Sequence, residues 1–151
     1  MFRRSVSIAA MVLVFGMTAS TASAQVARPY HDGSVWSIAF IHVKAGMETA
    51  YLNYLASEWK KEQEASKAEG IILSYKVISV ESHTPSEFNL MLMTEYKSLA
   101  AMEASADKED ALGQKLFGSD QKMMQGYKDR LEIREVLGDR LGREIVLEPK
   151  K

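Results

Sequence analysis

Hydrophobic and polar positions alternate along residues 35–43. There Trp36, Ile38, Phe40 and His42 fall on one side of an extended chain and Ser37, Ala39, Ile41 and Val43 on the other. Both sides are mostly apolar, so this strand is expected to meet protein on both of its faces. After a Lys44-Ala45-Gly46 corner the spacing changes, and Met47, Tyr51, Tyr54, Leu55 and Trp59 recur at three and four residues among Glu48, Asn53, Glu58, Lys60, Lys61 and Glu64. That spacing predicts an amphipathic helix over residues 47–69, its aromatic stripe against a sheet and its end at Gly70. Residues 71–80 return to a period of two, with Leu73, Tyr75 and Val77 opposed to Ile72, Ser74, Lys76 and Ile78. The polar connector 81–87, carrying Pro85, is too short for a helical crossover, so the strand over 88–95 is expected antiparallel to the one before it. On that strand Leu90 and Leu92 oppose Asn89, Met91, Met93 and Glu95.

A second helical region opens at Leu99 and continues through Leu112, Leu116, Phe117, Met123, Met124 and Tyr127, interrupted by Gly113, Gly118 and Gly126. Each glycine costs about 1 kcal/mol in a helix interior, which predicts a broken helix or separate segments. Residues 131–137 fit a helix end and a strand equally, and residues 143–148 read as a final strand ended by Pro149. The order is βαββαβ, an antiparallel sheet with two helices on one face, so the class is α+β and ferredoxin-like. With helices covering one face, the other is left apolar. Either Ile41, Val43, Ile72 and Ile78 or the alternate residues lie on it, and a two-fold homodimer with its sheets face to face is expected.

Ahead of this domain (35–151), Arg3 and Arg4 precede an apolar run and Ala22-Ser23-Ala24, the pattern of a cleaved signal peptide over residues 1–24. An extended lead-in over 25–34 follows. A periplasmic or secreted protein, with no membrane attachment after cleavage, is therefore expected. Removal of Arg3 and Arg4 from the 19 basic residues leaves 17 against 20 acidic ones, a net charge of −3. Such a chain has no basic patch for nucleic acid. Cysteine is absent, which excludes disulfides. Arg130, Arg134, Arg140 and Arg143 alternate with Glu132, Glu135, Asp139 and Glu144 and read as mixed surface charge or pairing between subunits.

The first strand running into a Lys-x-Gly corner, then the tyrosine-rich helix, resembles the dimeric α+β barrel superfamily over nearly the whole of residues 25–151. The resemblance implies two sheets enclosing a cavity, and the superfamily includes antibiotic-biosynthesis-type and haem-degrading monooxygenases. Its haem-degrading branch carries an Asn on the first strand, a Trp near the third and a His on the second helix. Here Ser37 and Ala39 stand on the first strand, the third strand has no Trp and no His lies between Lys97 and Arg130.

The chemistry is sparse. His31, His42 and His83 match no metal-ligand spacing, and no nucleophile elbow or phosphate loop is present. Met91-x-Met93 places two thioethers on one strand face, which with a histidine would suit Cu(I), although methionine more commonly fills adaptable cavities. The ligand-binding candidates are Ser37, His42, Lys76, Asn89, Met91, Met93 and Glu95, with no catalytic or metal residue assigned. No cofactor is expected, haem and copper being secondary. The expected function is binding of a small apolar or aromatic molecule in a barrel cavity. The alternatives are a cofactor-independent or haem-dependent monooxygenase and a chaperone-like interaction protein.

Overall fold

In the computed structural model, which describes residues 28–149, the first strand already begins at Tyr30. β1 (Tyr30–Val43) thus takes in part of the expected lead-in, because Tyr30, His31 and Asp32 pair with Leu147, Val146 and Ile145 of the last strand. A bulge between Asp32 and Val35 separates this short ribbon from the main sheet. Gly33 sits there because a Cβ would come within 2.8 Å of the Glu144 carboxylate. The expected signal peptide lies outside the described residues.

The remaining elements follow the predicted order. α1 (Glu48–Tyr54) runs through a π-helical turn (Leu55–Trp59) into α2 (Lys60–Ala68); then come β2 (Ser74–Ser79), β3 (Leu90–Tyr96), α3 (Leu99–Ala104), α4 (Ala106–Phe117), α5 (Asp120–Leu131) and β4 (Arg134–Leu147). The second helical region is broken into three, with Ser98 and Ser119 side chains accepting backbone N–H bonds at the starts of α3 and α5. Gly118, at φ +93°, ends α4. The ambiguous stretch 131–137 divides: Leu131 ends α5, and from Arg134 onward it forms one strand with the predicted final strand. That strand is interrupted by a bulge opposite Phe40 and Ile41, where Gly138 takes a positive φ. The sheet order is β2-β3-β1-β4 with every neighbouring pair antiparallel. The fold is ferredoxin-like. The four-stranded sheet is open in the single chain and does not itself form a barrel.

The helices cover one face. Ile41 (1 % exposed), Val43 and Leu90 pack against Tyr51 and Leu55, with Trp59, Leu92, Ile133 and Val136 around them. A second cluster joins Ile71, Ile72, Tyr96 and Leu112. Ile41 and Val43 therefore belong to the core, and the open face carries the alternate set of β1. Ile72 does not lie on a strand with Ile78; it is drawn under the helices ahead of β2, which shortens that strand from the predicted 71–80.

The π turn explains how one helix keeps its contacts. Tyr51, Leu55, Trp59 and Gln63 are spaced by four, and in an α-helix each such step overshoots a full turn by about 40°. Between Leu55 and Trp59 the wider turn takes up the difference, with the Lys60 N–H donating to the Leu55 carbonyl. The Ser57 hydroxyl donates to the Asn53 carbonyl at 2.8 Å. Gln63 and Ser66 thereby stay buried.

Asn89 joins the sheet through its side chain. Its Oδ1 accepts from the Val43 N–H (2.9 Å) and its Nδ2 donates to the Val43 carbonyl (3.2 Å), while its own N–H donates to the Ile41 carbonyl (2.9 Å). Val43 is almost fully buried. Asn89→Ala strands both main-chain groups, and chemical denaturation should show a loss of about 1–3 kcal/mol. Asn89→Asp, which keeps the acceptor only, should fall between.

Candidate functional site: the open face of the sheet

The open face is built by the period of two in three adjacent strands. Register places Phe40 beside Met91 and Ile78, Ile38 beside Met93 and Lys76, and Trp36 beside Glu95 and Ser74. Phe88 packs edge-on against Phe40 with ring centroids 4.7 Å apart. On β4 the partners of Phe40 and Trp36 are Gly138 and Gly142, so no side chain stands across from either ring, and a Cβ on Gly142 would lie 3.6 Å from Ile38 Cδ1. The centre of the face is apolar and only partly covered: Ile78 remains 38 % exposed.

One corner is polar. Lys76 Nζ lies 4.8 Å from the Trp36 ring centroid, a cation–π contact. Glu95 accepts a short hydrogen bond from the Ser74 hydroxyl. That bond, helped by Ser34 and by the charge of Lys76 and opposed by burial, holds the Glu95 carboxyl below its ordinary range. A carboxyl depressed on folding contributes stability above its unfolded value and loses it as pH falls through the folded value. Ser74→Ala should move the Glu95 midpoint upward in a carboxyl-resolved NMR titration. An unmoved midpoint would rule out Ser74 as the cause.

The face thus brings together Lys76, Met91, Met93 and Glu95, with His42 at its end. The His42 Nδ1–H donates to the Glu87 carbonyl at 2.8 Å, which ties the connector to β1. Ser37 points to the helical side, where its register partner Thr94 donates to Gln63 Oε1 at 3.2 Å. Asn89 is committed to Val43. Among the described residues no three His, Cys, Asp or Glu side chains gather as a metal site, and no helix is long and apolar enough to cross a membrane.

A second arrangement lies on the helical side and was not expected. Arg134, read from the sequence as surface charge or a pairing residue between subunits, is 7 % exposed at the start of β4. Its neighbour Arg130 lines a cleft of about 440 Å³ between α5 and the first helix, together with Tyr54, Glu58, Glu62, Phe117 and Met123. Tyr51 and Tyr54 stack beneath it, centroids 5.9 Å apart. Burial pushes the Tyr51 hydroxyl up to about 12, against the lowering effect of Arg134. The spacing of Arg130 and Arg134 was visible in the sequence. The burial of Arg134 was not, because alternating charge ordinarily marks a solvated surface.

No family model matches the sequence, and no curated protein matches it. Among solved structures the chain is similar to a NipSnap family protein of unknown function from Agrobacterium tumefaciens str. C58, at 15% identity over 78% of this chain and 92% of that one, with a TM-score of 0.48. It is also similar to two dimeric ferredoxin-like proteins from uncultured marine organisms. One is 12% identical over 80% and 93% of the two chains (TM-score 0.48), the other 18% identical over 79% and 98% (TM-score 0.40). At these values the likenesses bear on neither activity nor assembly, and the ferredoxin-like assignment rests on the strand order itself.

Proposed function

We propose that the protein acts as a homodimer closed through the open faces of two sheets, and that the space between them holds a small apolar or aromatic molecule. One observation carries this: Trp36, Ile38, Phe40, Met91, Met93 and Ile78 form a single, partly exposed apolar surface on the side of the sheet opposite the helix-covered core. Soluble monomers rarely leave a contiguous apolar patch beyond a few hundred Å² exposed. Two-fold pairing would cover it with an identical patch, and the methionines would adapt to whatever is enclosed. Lys76 and Glu95 at the rim of the same face would orient a polar end of the ligand. The features of residues 1–24 support placing this dimer in the periplasm or outside the cell.

Sedimentation equilibrium at micromolar concentration, followed by mass spectrometry of an organic extract, tests the proposal. A dimer that releases a stoichiometric apolar small molecule is the expected result. A monomer would overturn it. Haem, or an oxidised aromatic product in the extract, would replace simple binding with a monooxygenase reaction in the same space.

A further inference from the structure

We propose that a small polar cavity between α2, β3 and α4 binds a hard divalent cation, calcium in preference to magnesium, between the carboxylates of Glu62 and Glu109. Three elements build it. Glu62 and Ser66 stand one turn apart on α2, Thr94 and Tyr96 two residues apart on β3, and Glu109 and Gly113 one turn apart on α4, so each element turns a single face to the same space. The cavity has a volume of about 60 Å³. That is room for an ion with a few waters and too little for an organic ligand.

The charge in this cavity is unbalanced. Glu62 and Glu109 are half-buried, and among the described residues no Lys, Arg or His nitrogen lies within 4.0 Å of either carboxylate. Arg130 shares the neighbouring cleft with Glu62, but no cationic side chain lines the cavity itself. Two carboxylates turned into one half-buried space repel each other, and carboxylates withdrawn from water are ordinarily paired or bound to metal. A second observation points the same way. Ser66 lines the cavity and is only 7 % exposed, yet its hydroxyl has no hydrogen-bond partner among the described residues. A covered hydroxyl is costly unless something in the cavity completes it.

The donors select the ion. No His, Cys or Met is among the lining residues, so the set offers carboxylate and hydroxyl oxygens and does not suit zinc or copper. The Ser105 hydroxyl donates to Glu109 Oε1 at 2.8 Å, which fixes that carboxylate and leaves Oε2 for the ion. The Thr94 hydroxyl spends its proton on Gln63 Oε1 at 3.2 Å, so its oxygen can only accept or coordinate. Two carboxylates match a double positive charge, and the Ser66 and Thr94 oxygens with water fill the remaining positions. Calcium tolerates so irregular a set, at roughly six to eight oxygens, whereas magnesium demands a near-ideal octahedron.

The test uses the full chain, freed of metal by a chelator, in titration calorimetry with calcium, magnesium and sodium chlorides at one ionic strength. Calcium is expected to saturate one site per chain with a Kd of about 0.1–1 mM, and to raise the midpoint of thermal unfolding as it does so. Magnesium should bind at least about tenfold more weakly, and sodium should have no effect. Glu109→Gln and Glu62→Gln should each weaken calcium at least about tenfold. Both keep the shape of the side chain and relieve a like-charge pair, so both should fold. Glu58→Gln, on the exposed wall of the cleft, should leave calcium binding unchanged. Neither heat nor a rise in the midpoint up to about 10 mM calcium, ten times the weakest expected Kd, would overturn the proposal. So would sodium that matches calcium at equal ionic strength, which would reduce the cavity to a diffuse negative patch. Calcium binding that survives both Glu109→Gln and Glu62→Gln would put the ion elsewhere on the chain and overturn it too.

Discussion

A carboxylate introduced at Ile41 should unfold the domain, whereas the same group three residues earlier, at Ile38, should leave it folded and convert the proposed dimer to a monomer. Ile41 is 1 % exposed among Val43, Tyr51, Leu55 and Leu90. Ile41→Asp loses the burial of a large aliphatic side chain, about 2–5 kcal/mol, and adds an unpaired buried charge worth several more. The sum reaches the whole stability of an ordinary domain, about 5–15 kcal/mol. Ile38 lies on the other face beside Met93 and is only partly covered in the single chain. Ile38→Asp should therefore shift thermal unfolding of the monomer little. In a face-to-face dimer the two-fold axis would put two such carboxylates in one dry interface, and association should weaken by several orders of magnitude. Far-UV circular dichroism and sedimentation equilibrium on both variants separate the outcomes. A folded Ile41→Asp would contradict the assignment of faces; a dimeric Ile38→Asp would contradict the pairing.

This contrast marks what the chain revealed before its structure. The alternation in β1 gave the strand and both residue sets, because a period of two needs no tertiary information. It could not say which set faces the helices, since Ile41 and Val43 are no more apolar than Ile38 and Phe40. The decision comes from Tyr51 and Leu55, which reach the odd-numbered side. Ile71 and Ile72 misled for a related reason: β-branched residues suit a strand, but here they fill the space below α4. That Met91, Met93 and Glu95 share one strand face was legible because they sit on a regular strand; that Lys76 joins them needed the register of β2 on β3. The aromatic surroundings of Arg130 and Arg134 were not legible, because nothing in a charged sequence announces that rings will cover it.

The second large effect concerns the π turn, whose signature, residues 51, 55, 59 and 63 at steps of four, was present in the sequence all along. A π turn amounts to one extra residue in an α-helix. Deleting Ser57 should let α1 and α2 join as a continuous α-helix with their buried faces still aligned, and the midpoint of thermal unfolding should move by only a few degrees. Deleting both Ala56 and Ser57 should rotate α2 by about 100° relative to α1. That swings Gln63 and Ser66 off the sheet and forces charged neighbours toward it, a loss of several kcal/mol, and we expect little folded protein. If the single deletion is as damaging as the double one, the turn serves something other than phase. Its position in the wall of the cleft, through Glu58, names the first place to look.

β4 is an edge of fourteen residues with no strand beyond it among the described residues. Face-to-face pairing leaves such an edge available, and a bare one invites copy after copy to add on sideways into a filament. Two features oppose that growth. The irregularity at Gly138 breaks the straight run of main-chain donors and acceptors, and the stretch just past it carries Asp139, Arg140, Arg143 and Glu144 in place of a uniform apolar border. In the proposed pairing, assembly by these sheets would therefore stop at two copies, because the face invites a partner and the rim refuses a third.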